Sequence, residues 1–314
     1  MNLPKRVDVA IVGGGVIGMA CAEALSRKGV EVCVIDKGEA GRAASWAGGG
    51  MLCPLPPDHI PEAIRALLEE SLALYPEWCA RLHRESGIDP EYWACGADYY
   101  KTDGRHFEYP RMAQVRNPRL VKALAETLRR RGVPLVERTA VRGWLEDDGR
   151  LSGCDTNAGT LFCRAAVLAA GAWSGGLGAD GVGPAKGQML LLRGEPGRLG
   201  RMLIGDDVYL IPRRDGHVLV GSTIEHVGFD LEVSQAARDL LLERAARLWP
   251  ASMDLPVVGH WAGLRPMPSA DGPLVGPHPR LPGLWQATGH FRIGLTLAPA
   301  TAARIAAALP AAPA

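Results

Sequence analysis

The sequence predicts an α/β chain, α+β overall, in which a Rossmann-type domain is joined to a second domain built on an antiparallel sheet. Three observations carry this. The first forty residues trace a βαβ unit with a glycine fingerprint, "VDVAIVGGGVIGMACAEALSRKGVEVCVIDKGE". A second apolar run, "AAVLAAGAWS" at 165–174, breaks into Ala-Gly as a strand returning to the same sheet would. From Gly187 onward the texture changes to amphipathic strands with an Asp215-Gly216 turn between two of them. At 314 residues the chain is long for one hydrophobic core, so two domains are expected.

Val7 to Val12 is a continuous apolar run, the composition of a buried parallel strand. Gly13, Gly15 and Gly18 then fit G-x-G-x-x-G, and a helical stretch runs to Lys28. The first glycine permits the tight turn, the second lets backbone approach a pyrophosphate, and the third lets helix and strand pack closely. Free N–H groups and the dipole at the helix start favour the phosphates. A second strand, Glu31 to Ile35, ends at Asp36, 18 residues past Gly18, where a carboxylate can grip ribose hydroxyls. That acid favours a free 2′-hydroxyl, hence FAD or NAD over NADP. The chain of small residues "GRAASWAGGGMLCP" at 41–54 suits backbone threading along an extended ligand, where an NAD domain would add further βα units.

Pro61–Leu74 and Pro76–Arg84 carry helical periodicity, each opening on proline, and are expected as two helices. "RNPRLVKALAETLRRRG" is a third, with Asn117 as N-cap, Pro118 in the first turn and Gly132 as stop; its basic end is a solvated helix terminus. "VPLVE", "VRGWLEDDGRLSGC" (turning at Asp148-Gly149) and "GTLFC" follow as short antiparallel strands. After the hairpin "VYLIPRRDGHVLVGSTIEH", Ser234 caps a helix to about Trp249, and a strand holding Arg265 comes next. "LPGLWQATGHFRIGLTLAPATAARIAAAL" closes as strand, loop and helix, with "PAAPA" expected to fray.

Hydrophobic residues make up 47% and the formal net charge is +1, which excludes a nucleic-acid binder carried by bulk charge. The cysteines are odd in number and form no C-x-x-C, so neither a disulfide framework nor a zinc site is expected. No metal-ligand spacing, P-loop or G-x-S-x-G elbow occurs. Asp8, the glycine triplet and Glu23 spoil the signal-peptide reading of the N-terminus, and no apolar run approaches the ~20 residues of a membrane span. A soluble, cytoplasmic protein is expected.

The stretches "VGGGVIG", "GRAASWAGGGML", "QVRNPRLVKAL", "LAAGAWS", "PAKGQMLL", "YLIPRRDGHVLVGST", "HWAGLRP" and "GHFRIG", with "LAPAT" behind it, span nearly the whole chain. In that order they resemble the FAD-dependent D-amino-acid oxidase superfamily, and within it the glycine-oxidase family of thiamine biosynthesis. The resemblance implies a glutathione-reductase-like, D-amino-acid-oxidase-like fold. Its FAD-binding domain would be discontinuous (1–86, 112–182 and 266–314), and its substrate-binding domain would comprise 87–111 and 183–265. It implies FAD against Gly13, Gly15, Val16, Ile17, Gly18, Asp36 and Lys37, and along Arg42, Ser45, Trp46, Ala47, Gly49, Gly50 and Met51. Ala170, Gly171 and Trp173 would join them, with Gly289, His290, Phe291, Arg292, Ile293, Gly294, Leu295 and Thr296 at the flavin end. Resembling enzymes with a covalent flavin use a C-terminal cysteine or a histidine in the early glycine-rich stretch; here the last cysteine is Cys163 and 41–54 hold no histidine. FAD is therefore expected without a covalent link.

Arg265 precedes Pro266, which biases its backbone to extended geometry, and its planar fork matches a carboxylate. The residues alone leave a structural salt bridge as the other reading. The resemblance implies that Arg265 clamps the substrate carboxylate, with Tyr209 and Arg292 as further pocket residues. The implied reaction is oxidative deamination of glycine or other small amino acids by molecular oxygen. It would yield the imine or 2-oxo acid and hydrogen peroxide, and supply the glycine imine for thiamine thiazole synthesis. A D-amino-acid or sarcosine oxidase or dehydrogenase with another acceptor, and a non-catalytic FAD-binding protein, are the alternatives. Neither nucleic acid, membrane nor metal is expected as a partner, and a homo-oligomer is allowed. Three departures stand out. The chain lacks a segment that family members carry between Tyr100 and Arg111, which would trim the helical side of the substrate domain, and Ile293 replaces a common asparagine. The family's tail beyond the last helix is expected to be missing too.

Overall fold

The apolar runs of β1 (Arg6–Val12) and β2 (Val32–Ile35) pair in parallel, joined through α1 (Val16–Ser26), in a computed structural model that describes residues 2–52, 61–269 and 272–309. Val9 and Ile11 face α1, while Ala10 and Val12 belong to the apolar cluster of the opposite face. A short helix α2 (Ala44–Ala47) and β3 (Met51–Leu52) follow in the glycine stretch. Cys53 and Pro54, at its end, lie outside the described residues, as does the 310–314 tail.

The two helices expected after Pro61 are one, α3 (Glu62–Ser86), with Pro76 inside it. An interior proline costs ~3 kcal/mol. Tyr75, Trp78, Cys79 and Leu82 around it are all buried, and burial of such side chains at ~1.5–3 kcal/mol each outweighs that cost. The next three strands had no sequence signal: β4 (Ala97–Tyr100), β5 (His106–Tyr109) and β6 (Ala113–Gln114). β4 and β5 form a tight hairpin across Lys101–Arg105, where the chain is expected to lack a family segment.

Helix α4 (Asn117–Arg130) begins one residue earlier than expected, with Arg116 at the cap. Asn117 does not cap it; its side-chain amide instead donates to the Ser45 carbonyl at 2.9 Å. β7 (Leu135–Val136) is parallel to β2 on the sheet edge, not part of an antiparallel set. β8 (Val141–Asp147) and β9 (Arg150–Thr156) form the expected hairpin. "GTLFC" and "AAVLA" prove to be one strand, β10 (Gly159–Leu168), whose first half pairs antiparallel with β9 and whose second half lies parallel to β1. A 3-10 turn spans Gly171–Leu177.

The long strand β11 (Gly183–Arg193) opens a second sheet, followed by β12 (Met202–Gly205), β13 (Tyr209–Pro212) and β14 (His217–Gly221). β13 and β14 are the expected hairpin. Ser234 caps α5 (Gln235–Leu248) by accepting from the Ala237 amide, and after a 3-10 turn β15 (Val257–Met267) pairs antiparallel with β11. β16 (Leu274–Pro277), β17 (Leu284–Thr288) and α6 (Gly294–Ala308) complete the fold. The first sheet runs β16-β17-β10-β1-β2-β7, with β9 and β8 attached at β10. The second runs β15-β11-β14-β13-β12-β4-β5 and is antiparallel apart from the parallel β12–β4 pair. Helices α1, α3, α4 and α6 share one apolar core over the first sheet. The carboxyl ends of β1, β2 and β10 all point to one crevice, where ligands bind in sheets of this kind.

Candidate active site

A cavity of about 1170 Å³ fills that crevice and continues beneath the second sheet. Its floor is the β1–α1 turn. Gly13 has φ +112°, and a β-carbon there would fall against the Ala169 carbonyl. A β-carbon on Gly18 would meet the Gly13 carbonyl, so this residue sets helix–strand packing and does not itself line the cavity. A β-carbon at Gly15 meets only the Ser45 hydroxyl, at 3.2 Å; that hydroxyl accepts from the Val16 amide at 2.9 Å, and all three residues line the cavity. Asp36 accepts from the amides of Gly14 and Gly38, each at 2.7 Å, which aims its carboxylate at the cavity rim.

The wall from 45 to 50 is fixed by donors from four other places. Asn117 holds the Ser45 carbonyl, Trp261 the Ala47 carbonyl at 3.0 Å, Arg213 the Gly49 carbonyl at 2.8 Å and the Val115 amide the Gly50 carbonyl at 2.9 Å. Gly50, at φ +84°, sits where a β-carbon would strike the Val115 carbonyl. Buried Arg213 also donates to Gln114 and to the Val115 carbonyl. Burial pulls its guanidinium down to about 10, still charged at neutral pH. Sequence reasoning missed Arg213, because only the folded chain brings β13 against the glycine stretch. The Oδ1 of Asn117 is buried without a partner, a polar atom at the wall that suits a polar ligand.

Most of the expected cofactor residues line this one cavity: Gly13, Gly15, Val16, Ile17, Asp36, Lys37, Arg42, Ser45, Ala47, Gly49, Gly50 and Met51, with Ala170, Gly171, Trp173, His290, Phe291, Arg292, Gly294 and Leu295. Besides Gly18, four others lie outside the lining. Trp46 turns away to meet Trp261 edge-on at 5.5 Å, and Ile293 is buried among Ile64, Leu67, Leu68 and Leu297. Thr296 is fully buried inside α6, and Gly289 sits behind it against Pro268 and Val182. His290 lines the cavity but its ring is buried against the Thr301 hydroxyl at 3.1 Å, and burial pushes it down to about 3, so it is neutral.

Arg265, Tyr209 and Arg292 converge at the roof. Arg265 Nη2 donates to the Ser222 hydroxyl at 2.6 Å, and Nη1 to the carbonyls of Thr223 and Lys186 at 3.2 and 3.3 Å. The guanidinium lies over Gly187, where any β-carbon would overlap it. Tyr209 Oη contacts Met189 Sδ at 3.3 Å. Partial burial lowers the Arg292 pKa, with the Arg265 charge adding to the effect and Tyr209 opposing it. Among the described residues neither arginine forms an ion pair, so the structural salt bridge considered for Arg265 is not made. Two neighbouring cations without a carboxylate form a site for an anion. No cluster of metal-ligating side chains occurs among the described residues, and no helix there is long and apolar enough to cross a membrane.

Comparison with known proteins shows the family and agrees with the fold. The family model described as FAD dependent oxidoreductase matches residues 8–108 and 101–309, two stretches that overlap across the β4–β5 turn and into β5. The glycine oxidase of Pseudomonas aeruginosa is 40% identical over 334 residues, covering 93% of this chain and 92% of that protein. A bifunctional protein ThiO/ThiG of Trichormus variabilis is 34% identical over 340 residues, covering 95% of this chain and 52% of that one. The crystal structure of glycine oxidase from Geobacillus kaustophilus superposes with TM-score 0.93 at 30% identity, covering 98% of this chain and 95% of that one.

Proposed function

Because the chain belongs to the FAD dependent oxidoreductase family and FAD is its cofactor, we propose that it oxidises glycine and other small amino acids at Cα. The observation that carries this is the two arginines, neither in an ion pair among the described residues, that line the cavity beside Tyr209. Bound FAD supplies the two-electron acceptor, and molecular oxygen then takes those electrons on as hydrogen peroxide. The dinucleotide fits the residues present: the α1 amides and Ser45 for the pyrophosphate, Asp36 for the ribose, and the α6 N-terminus for negative charge at the flavin end. With no covalent link, acid precipitation leaves the yellow colour in the supernatant; colour held in the pellet contradicts this.

Arg265 presents its fork to the substrate carboxylate, and Tyr209 and Arg292 flank it. Two guanidinium charges nearby disfavour an ammonium group, so the substrate amine is held neutral and needs no side-chain base. Loss of a hydride from Cα and a proton from nitrogen leaves the imine, which water hydrolyses to the 2-oxo acid and ammonia. Met51, Met189 and Tyr209 close the space around this point, which favours small side chains. Residues 1–86, 112–182 and 266–314 act as the cofactor domain, and 87–111 with 183–265 as the substrate domain. A released glycine imine can feed thiamine thiazole synthesis. The test is oxygen uptake and peroxide release with glycine, sarcosine and D-alanine. Turnover of glycine with equimolar peroxide is expected; reduction of a quinone without oxygen uptake would reassign the acceptor.

A further inference from the structure

The segment Ser222–Ser234 carries no nucleotide-binding motif; its sequence shows the end of the hairpin stretch and the Ser234 cap, with no signal between them. It leaves β14 on the second sheet and reaches across the cavity. At its start, the Ser222 hydroxyl and the Thr223 carbonyl hold Arg265. In its middle it is pinned by Lys186, only 3% exposed, whose ammonium meets Asp230 at 2.6 Å and Glu225 at 3.6 Å. At its far end Phe229 stacks on Trp173 with ring centroids 5.5 Å apart and planes 22° apart. Lys37 Nζ lies 3.5 Å from the centroid of that Trp173 ring. Leu231 lines the cavity opposite Arg42, Ala43 and Ala44.

These side chains are expensive to leave in water. Leu231, 51% exposed, lines the cavity that also holds Asp36 and Ser45, and Phe229, 52% exposed, lies against Trp173, itself a lining residue. A large apolar side chain beside an elongated cavity gains by covering a ligand in it. Lys37 is also held there, next to Asp36, by the cation–π contact.

We propose that Ser222–Ser234 is a cofactor-binding strap. Leu231 covers the dinucleotide directly, and Phe229 acts as a positioning residue that clasps the strap through Trp173 to the 3-10 turn after β10. Lys186 anchors it to the second sheet. The strap thus retains FAD with residues of the substrate-binding half of the chain, and it does so on the same segment that orients Arg265.

This rests on the FAD-binding reading above, and the test separates the two. The FAD-loaded protein is diluted and the release rate is followed by the rise in free-flavin fluorescence. Phe229→Ala and Leu231→Ala should each release FAD at least fivefold faster than the parent. Val233→Ala, equally exposed on the same segment but off the cavity, should match it. Thermal unfolding of the apoproteins should be unchanged, since the replaced side chains are half exposed. Release from both alanine variants at the parent rate overturns the strap, as does equal acceleration by Val233→Ala. A parent protein that purifies without flavin would sink the underlying reading instead.

Discussion

Gly187→Ala is a one-methyl test of the carboxylate site, made without touching any charged residue. The added β-carbon would overlap Nη1, Nη2 and Cζ of Arg265. The neighbouring β11–β15 ladder, with Gly187 opposite Gly263, is backbone and gives little. The guanidinium is the flexible end, so it moves, by about 1 Å or more, and leaves Ser222 and Thr223. Misplacement on that scale costs up to ~100-fold in a reaction that depends on alignment. We therefore expect kcat/KM for glycine to fall ~10- to 100-fold, equivalent to ~1.4–2.7 kcal/mol. FAD occupancy and the visible spectrum should stay as in the parent. Initial rates from peroxide release give kcat and KM, and titration with acetate gives carboxylate affinity directly. A variant with parental KM and parental acetate affinity would refute the placement of the substrate carboxylate at Arg265.

Arg265→Ala should weaken glycine and acetate together, by more than tenfold in kcat/KM, since losing one partner of a buried charge pair costs ~2–5 kcal/mol. Arg265→Lys should recover only part of this, because a point charge cannot make two parallel bonds; full recovery would argue against a fork. Gly15→Val places its γ-carbons at the α1 N-terminus, so the purified protein should hold less flavin while the apoprotein melts as before; full occupancy would displace the pyrophosphate from that turn. Asp206 is brought down to about 2 by hydrogen bonds from the Tyr99 hydroxyl and from Thr102. A depressed carboxylate stabilises the fold above its unfolded pKa of about 3.9, and that stability is lost as pH falls toward 2. Between pH 4 and pH 2 the parent should therefore lose more Tm than Asp206→Asn does; parallel losses would remove Asp206 from the acid response.

The βαβ unit, the Asp215-Gly216 hairpin, the Ser234 cap and the closing helix were legible because each is specified by local chemistry. Strand period, turn residues and a capping hydroxyl act within a few positions of one another. Arg265 stood out as a cation in apolar company ahead of a proline, and it lines the cavity. What hid from the sequence depends on partners far along the chain. Pro76 reads as a helix start until the buried faces of Tyr75, Trp78 and Leu82 are known. β10 looks like two strands because it changes partners halfway, from β9 to β1. Asn117 has the composition of a cap, yet its amide serves Ser45, 72 positions away. Arg213 and the Phe229–Trp173 clasp lack any periodic or motif signal, since each joins segments far apart along the chain.

If a glycine carboxylate held by Arg265 presents its Cα to bound FAD, glycine itself reduces the flavin. Anaerobic addition of glycine to the purified yellow protein measures this without an external acceptor. The visible flavin absorption should bleach with glycine, and admitting oxygen should restore it with release of peroxide. Arg265→Ala, carrying the same flavin, should bleach far more slowly at the same glycine concentration. Flavin that stays oxidised in excess glycine, or an alanine variant that bleaches as fast as the parent, would contradict it.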